Sequence, residues 1–520
     1  MSINHKVKVA YCTAIKSESD PNQVIWSDCI RTFIKKNKDL TIENVEDGDA
    51  DLLNISCSAF CDDLPSIVSR YGSPIMVTVG GAYPTNYPER VLEDLPTAIV
   101  VIGEGERTTL NLLRLVEAAI VGGRELDRNE LRDIPNIAYV HEGEVVITRR
   151  EISDLPLLNI PMIYTEHVDE TTMLRVESSR GCDYGCCSFC AVPRKYNGVR
   201  RRDYPIDRTI FEIRSLASFG RVIAFTDEEF IGLDTRHAWD LVNRIIEEKK
   251  NGTIPYNTRF VASVSVFMLA RNDWDGGMND ELLRRMRKAG FDRLFVGIES
   301  GSATQLRRYG KGVTPEENET VLKVFKNIGI EPDIGFIMFD PLMSIEELRE
   351  NILFISRNGL DRGESRLSKR MILIPGTRYA YDYERLTGRK APNMPRECTA
   401  EEFLDPSVRR IIEIIGTEDQ WVNVLQHSVR MTGGAGARTL RDIRMSEFQA
   451  LVRAYEEVTG EELDLRGDSN GNHHDQSKRE SGDVHRSDEH RDCRRQGEGR
   501  LPPPVQNPGE RPSDPLRQGL

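Results

Sequence analysis

Ser179-Arg180-Gly181-Cys182-Asp183-Tyr184-Gly185-Cys186-Cys187-Ser188-Phe189-Cys190 packs four cysteines into nine positions. Gly181, Gly185 and the short spacing make a tight loop that can aim several thiolates at one centre. Soft sulfur ligands at such spacing select zinc or an iron–sulfur cluster. A zinc site would normally add a second Cys/His pair. Upstream, His167 stands alone; downstream, the next histidine and cysteine are the distant His237 and Cys398. Three thiolates with a fourth ligand missing suit a 4Fe–4S cluster that keeps one iron open. A merely buried or disulfide-linked group of cysteines explains the pattern less well.

The same residues resemble the loop of the radical S-adenosylmethionine (SAM) superfamily, Arg-Gly-Cys-x3-Cys-x2-Cys with an aromatic before the last cysteine. Arg180, Gly181, Tyr184, Gly185 and Phe189 match it, but one residue is inserted. The ligands are then either Cys182, Cys186 and Cys190 or Cys182, Cys187 and Cys190. The first set is preferred, because Gly185-Cys186 keeps its usual place after Cys182 while Phe189-Cys190 keeps the end.

A chain of 520 residues should hold two or three domains. Ten cysteines, four of them bunched, are no secreted disulfide framework. No apolar run approaches the ~20 residues of a membrane span, and the start Met1-Ser2-Ile3-Asn4-His5-Lys6 does not read as a signal peptide. A cytoplasmic, reducing location and no membrane partner are therefore expected. The net charge of −13 argues against nucleic-acid binding and loosely suits a small cationic substrate.

The expected fold is α/β throughout. Short apolar strands at 7–11, 52–56, 75–79 and 98–102 alternate with helical stretches such as 24–34, which is the pattern of a doubly wound parallel sheet over residues 1–135. Gly80-Gly81 and Gly103-Glu104-Gly105-Glu106 fall at strand ends, where such sheets bind ligands, although turn formation alone explains them about as well. Cys57 and Cys61 read as packing rather than ligands. A hairpin around Glu142-Gly143-Glu144 and a proline-containing linker fill 136–172. Six strand–helix units over 173–390 suggest a partial (β/α)6 barrel, with strands at 174–177, 222–226, 260–264, 294–298, 334–338 and 371–374. Residues 391–465 read as a helical extension. The His-, Arg- and Pro-rich tail 466–520, with His473-His474 and Cys493, reads as disordered.

The resemblance covers roughly 170–390 and implies a barrel with a 4Fe–4S cluster and SAM at its mouth. The glycine motifs resemble the cobalamin-binding domain that precedes many radical SAM cores; the Asp-x-His-x-x-Gly motif is absent, and bound cobalamin stays open. By the same resemblance Phe189 should contact adenine, Asp227 hold the methionyl amine, and Glu299 and Ser300 meet the ribose or amine. Each has a plainer reading: Asp227 or Glu299 alone could cap a helix, and Pro375-Gly376-Thr377 is a common turn. Arg194-Lys195 and Arg200-Arg201-Arg202 could neutralise anions, but a solvated charge run is the expected reading.

The unusual Cys-x3-Cys-x3-Cys spacing resembles that of the radical SAM dehydratases that begin C3′-deoxygenation of aminoglycosides such as paromamine. It implies hydrogen abstraction at C4′, loss of the 3′-hydroxyl as water and a 4′-oxo product in antibiotic biosynthesis. A flavodoxin- or ferredoxin-like electron donor and an NADPH-dependent reductase acting on the product would be partners. Acidic walls made of Asp227, Glu228, Glu229 and Asp340 would then receive the cationic amino sugar, with Asp227 and Glu228 in the substrate pocket. The alternative is a cobalamin-dependent radical SAM methyltransferase. A non-catalytic cluster-binding regulator and a tRNA methylthiotransferase fit the motifs less well.

Overall fold

The computed structural model describes residues 6–13, 30, 31, 33, 34, 40–57 without 47, 63–155, 174–220, 222–270, 280–362, 369–416 and 436–465. Most of the helix expected at 24–34, the linker after 155, Cys61 and the tail 466–520 lie outside these residues. Among the described residues, no helix is long and apolar enough to cross a membrane.

The N-terminal sheet has seven strands: β1 (Val7–Thr13), β2 (Ile42–Val45), β3 (Leu52–Ser56), β4 (Met76–Gly80), β5 (Ile99–Val101), β6 (Ile137–His141) and β7 (Glu144–Ile147). Their order is β2-β1-β3-β4-β5-β6-β7. The first five run parallel. Alternation along each strand feeds two cores: Leu53, Val77 and Val100 pack on one face, and Leu52, Met76 and Ile99 on the other. Burial on both faces is what gives these strands their unbroken apolar reading. The hairpin is not separate from this sheet. β6 pairs antiparallel with β5, and β7 with β6. Glu142 and Gly143 take φ of 52° and 83° in the turn, the left-handed conformation that matches strand twist.

The second sheet is the partial barrel. It contains β8 (Leu174–Val176), then β11 (Ile223–Phe225), β12 (Phe260–Ser265), β13 (Phe291–Glu299) and β14 (Glu331–Phe336), in the order β14-β13-β12-β11-β8 and all parallel. A small antiparallel pair, β9 (Ser179–Arg180) and β10 (Arg202–Asp203), frames the cysteine loop. The expected sixth strand is reduced to single bridges, Phe339 with Arg370 and Ile372 with Glu397. The bend at Asp340-Pro341 and the turn at Pro375 leave too little regular backbone for a longer ladder.

Five amphipathic helices cover the barrel: Ile206–Ala217, Arg236–Lys250, Asp280–Ala289, Pro315–Ile328 and Ile345–Arg357. Thr314 and Ser344 start the last two with reciprocal capping boxes to Glu317 and Glu347. Their inward faces, including Leu241, Ile245, Leu283, Val321 and Ile352, are fully buried against the strands. Each such side chain contributes about 1.5–3 kcal/mol of burial. The helical extension is present at 406–416 and as Gly436–Thr459.

Candidate active site

The cysteine loop leaves the barrel directly after β8 and is sewn to its neighbours at several points. The Ser188 amide donates to the Tyr309 carbonyl at 2.8 Å, and Ser188 Oγ to the Arg308 carbonyl at 2.9 Å. Gly310, at φ 61°, lets the turn after Tyr309 approach closely. A Cβ there would lie 2.8 Å from the Cys186 carbonyl oxygen. From the far side of the barrel, the Tyr379 amide donates to the Ser188 carbonyl at 2.8 Å, after Thr377 has capped its helix.

Cys182, Cys187 and Cys190 act on one another electrostatically. Burial pushes the Cys182 thiol up to about 12, with Glu229 and Cys187 adding to it. Burial likewise pushes Cys187 up to about 12, opposed by Lys311 and reinforced by Cys190. Cys190 rises to about 11 through burial, with Cys182 adding. Among the described residues, no three His, Cys, Asp or Glu side chains converge as they would on a single metal ion. A cluster asks for something different, one thiolate for each of several irons.

Lys311 and Glu299 form a charge pair beside Cys187 and Cys190, with Nζ 3.4 Å from Oε1. Burial alone would lower the lysine pKa, but Glu299 and Cys187 more than offset it and raise it. Glu299 ends β13 at φ 63°, where the register with β14 shifts between Gly297 and Glu299. A non-glycine residue held in the left-handed region is the kind of strain that collects at functional sites. Phe189 meets Tyr309 edge-on at 5.4 Å. Sequence reasoning missed Lys311; a lysine between Gly310 and Gly312 was the available signal.

Several expected site residues have other work. Asp227 Oδ1 accepts from Ser178 Oγ at 2.6 Å and Ser179 Oγ at 2.5 Å, and Oδ2 accepts from the Ser178 amide at 3.1 Å. Glu228 accepts from the Gly181 amide at 3.0 Å and from Lys195 and Tyr196 at 2.7 Å each. Burial would raise its pKa, but Lys195 and these hydrogen bonds hold it below the usual range. Glu229 accepts from the Ile231 and Gly232 amides. Asp340, fully buried, accepts from Gln305, Arg308, Tyr309, Tyr379 and the Leu342 amide. Ser300 Oγ faces Gln305 and Asn351 at 2.5 and 2.9 Å. The acidic wall expected for a cationic substrate is therefore spent on internal partners.

The basic run is a solvated face only in part: Arg200 is exposed, while Arg194, Lys195, Arg201 and Arg202 are half-buried. Arg194 donates to the Pro375 carbonyl, Arg200 to the Asp183 and Tyr184 carbonyls, and Arg201 to the Glu229 carbonyl. Arg202 pairs with Glu104 at 2.8 Å.

Arg180, 2% exposed, joins the two sheets. It meets Glu104 at 3.2 Å, Glu106 at 2.6 Å and Glu177 at 3.0 Å. Glu104 and Glu106 belong to the glycine-rich motif after β5. A cleft lies at this junction, over the carboxyl ends of β3, β4 and β5. Asn54, Ser56, Gly80, Gly81, Gly103 and Gly105 line it from the sheet, and Arg180, Lys195 and Tyr196 from the cysteine-loop side. This is where a doubly wound sheet binds ligands. Gly81, at φ 119°, packs its backbone against that of Cys57, where a Cβ would come within 2.4 Å of the Cys57 carbonyl oxygen.

Comparison with known proteins agrees with this geometry. Residues 176–355 match the model of the Radical SAM superfamily. The chain is 30% identical over 347 residues to the 4′-phospho-dehydrooxetanocin synthase of Priestia megaterium, covering 61% of this chain but 44% of that protein. In fold it is similar to the cobalamin-dependent SAM radical enzyme OxsB with aqua-cobalamin bound, with TM-score 0.72, 22% identity and coverage of 88% of this chain and 74% of that one. It is also similar in fold to the radical SAM methyltransferase TsrM of Kitasatospora setae with cobalamin and a [4Fe-4S] cluster bound, with TM-score 0.58, 17% identity and coverage of 75% and 80%. With the cysteine loop after the first barrel strand and the family match spanning that barrel, residues 176–355 carry a Radical SAM domain.

Proposed function

We propose that this chain is an enzyme that cleaves SAM reductively at the barrel mouth, holds a cobalamin in the N-terminal cleft and acts on a small molecule between them. The observation that carries this reading is the meeting of both sites at Arg180, which precedes the cysteine loop and lines the cleft. The 4Fe–4S cluster and SAM are the cofactors of the superfamily. We assign the cluster to Cys182 and Cys190 with Cys186 as the third ligand and Cys187 as the alternative, on the spacing of the loop that the barrel fixes at both ends. The donor set fits, because buried soft thiolates in a loop fixed at both ends suit iron and sulfide.

When bound, the cluster supplies the electron that breaks the SAM sulfonium and releases the carbon radical that takes a substrate hydrogen. The chain's own residues position the parts and exclude water. Glu228 fixes the loop entrance through the Gly181 amide. Asp227 fixes the turn between β8 and the loop. Glu299 would accept a hydrogen bond from the SAM amine or ribose, with Lys311 balancing its charge, and Phe189 would flank the adenine. The cleft suits a cobalamin in its place at the carboxyl ends of the strands and in its polar lining, where buried Glu106 and Thr109 carry polar atoms without a partner among the described residues.

Two finer reactions rest on different observations. Dehydration of an amino sugar such as paromamine rests on the inserted residue in the cysteine loop, now without an acidic wall behind it. Methyl transfer is favoured by the cleft, because that chemistry uses a corrinoid and the dehydration need not. Anaerobically reconstituted, reduced protein should release 5′-deoxyadenosine from SAM and bind about one cobalamin per chain. S-adenosylhomocysteine among the products selects methyl transfer; a paromamine-dependent 4′-oxo product selects dehydration. Absence of SAM cleavage by cluster-loaded protein would end the whole reading.

A further inference from the structure

Glu106 opens the helix Glu106–Gly122, and its two carboxylate oxygens have different surroundings. Oε1 accepts from Arg180 Nη2 at 2.6 Å. Oε2 is buried and has no hydrogen-bond partner among the described residues. Thr109 lies three residues on, on the same helix face, fully buried, and its Oγ1 has no partner either. Both residues line the cleft. Protein interiors rarely leave a carboxylate oxygen and a hydroxyl unsatisfied, and doing so is costly. Two such atoms on one wall of one cleft mark the place of a ligand's donors.

The polarity of that ligand can be read as well. A carboxylate oxygen accepts and cannot donate, so the group facing it must carry N–H or O–H. Glu104, Glu106 and Glu177 face Arg180 and Arg202 in one group. With the Glu106 charge already met by Arg180, a neutral donor is accommodated at its second oxygen.

We propose that Glu106, with Thr109 beside it, accepts a hydrogen bond from a carboxamide N–H on the rim of the corrinoid in the cleft, and so ties that ring to the cysteine loop through Arg180. This rests on the cobalamin reading above. Glu106 is then a binding residue toward the cleft and a positioning residue toward the loop.

The test compares two corrinoids that both lack the nucleotide tail, dicyanocobinamide, which keeps its carboxamides, and dicyanocobyrinic acid heptamethyl ester, which has no N–H donor. Cluster-loaded wild type should bind the amide at least about tenfold more tightly than the ester, the range of a hydrogen bond to a charged group. Glu106→Gln and Thr109→Val should each lose most of that preference while binding the ester as wild type does. Thr109→Val does not touch Arg180, so it carries the test if Glu106→Gln fails to fold. With excess dithionite holding both the cluster and the added cobalamin reduced, cobalamin should also change the electron paramagnetic resonance signal of the cluster in wild type and not in Glu106→Gln. Variants that keep the amide preference, or a signal that responds equally in both proteins, would overturn the proposal. Wild type that binds no corrinoid at all would overturn the cobalamin reading itself, a separate result.

Discussion

Arg180 Nη1 lies 3.2 Å from Glu104 Oε1, with both side chains almost fully buried, and this pair spans the two sheets of the protein. Glu104 also takes Arg202 at 2.8 Å and the Ser153 amide at 2.9 Å. Burial would raise its pKa, but Arg180 and Arg202 lower it. Removing one partner of such a group strands the others in a dry interior. Glu104→Ala should destabilise the protein by about 3 kcal/mol or more, read as a lower denaturation midpoint. Glu104→Gln, which keeps an acceptor, should cost less. Equal stability of Glu104→Ala and wild type would mean that the junction holds nothing together.

Asp227 distinguishes an anchor from a ligand for SAM. Its three donors come from Ser178 and Ser179, at the start of the cysteine loop. Asp227→Ala leaves these donors buried and should cost about 2–3 kcal/mol. Asp227→Asn keeps an acceptor and should retain SAM affinity within about threefold. A residue that gripped the SAM amine would behave oppositely: the asparagine variant would be stable and bind SAM at least about tenfold more weakly. Calorimetric stability and SAM titration of the two variants decide between them.

Glu248 sets part of the acid response. Burial alone would raise its pKa, but hydrogen bonds from Thr253, Arg244 and Arg214 bring it down to about 2 from the ordinary 4.5 of a glutamate. Because the folded value is depressed, the unfolded chain binds the proton more readily between these values. The stabilisation is present above about pH 4.5 and is lost as pH falls toward about 2. Glu248→Gln should flatten that limb of a stability-versus-pH curve while lowering stability at neutral pH. An unchanged acid limb in the variant would refute this.

Local pattern made much of the architecture legible. The barrel helices were readable from period-3.6 stripes such as Leu241, Val242 and Ile245, and the parallel strands from short apolar runs. β2 escaped because Glu43 and Asn44 break its apolar reading, and the hairpin was set apart because its pairing with β5 is a tertiary fact. The site was less legible for the same reason. Cys186 and Cys187 are neighbours in sequence, so the spacing of the loop does not by itself choose between them. Asp227, Glu228, Glu229 and Asp340 looked available because a sequence shows charge without showing donors. Arg201 and Arg202 looked solvated because their carbonyl and carboxylate partners lie up to 98 residues away.

The iron and sulfide content of four single-cysteine variants, reconstituted without oxygen, tests the central claim most directly. Cys182→Ala and Cys190→Ala should each fail to retain a 4Fe–4S cluster and show no SAM-dependent change in its electron paramagnetic resonance signal, and one but not both of Cys186→Ala and Cys187→Ala should fail in the same way. Full loading of Cys182→Ala or Cys190→Ala, or of both Cys186→Ala and Cys187→Ala, would contradict the site itself.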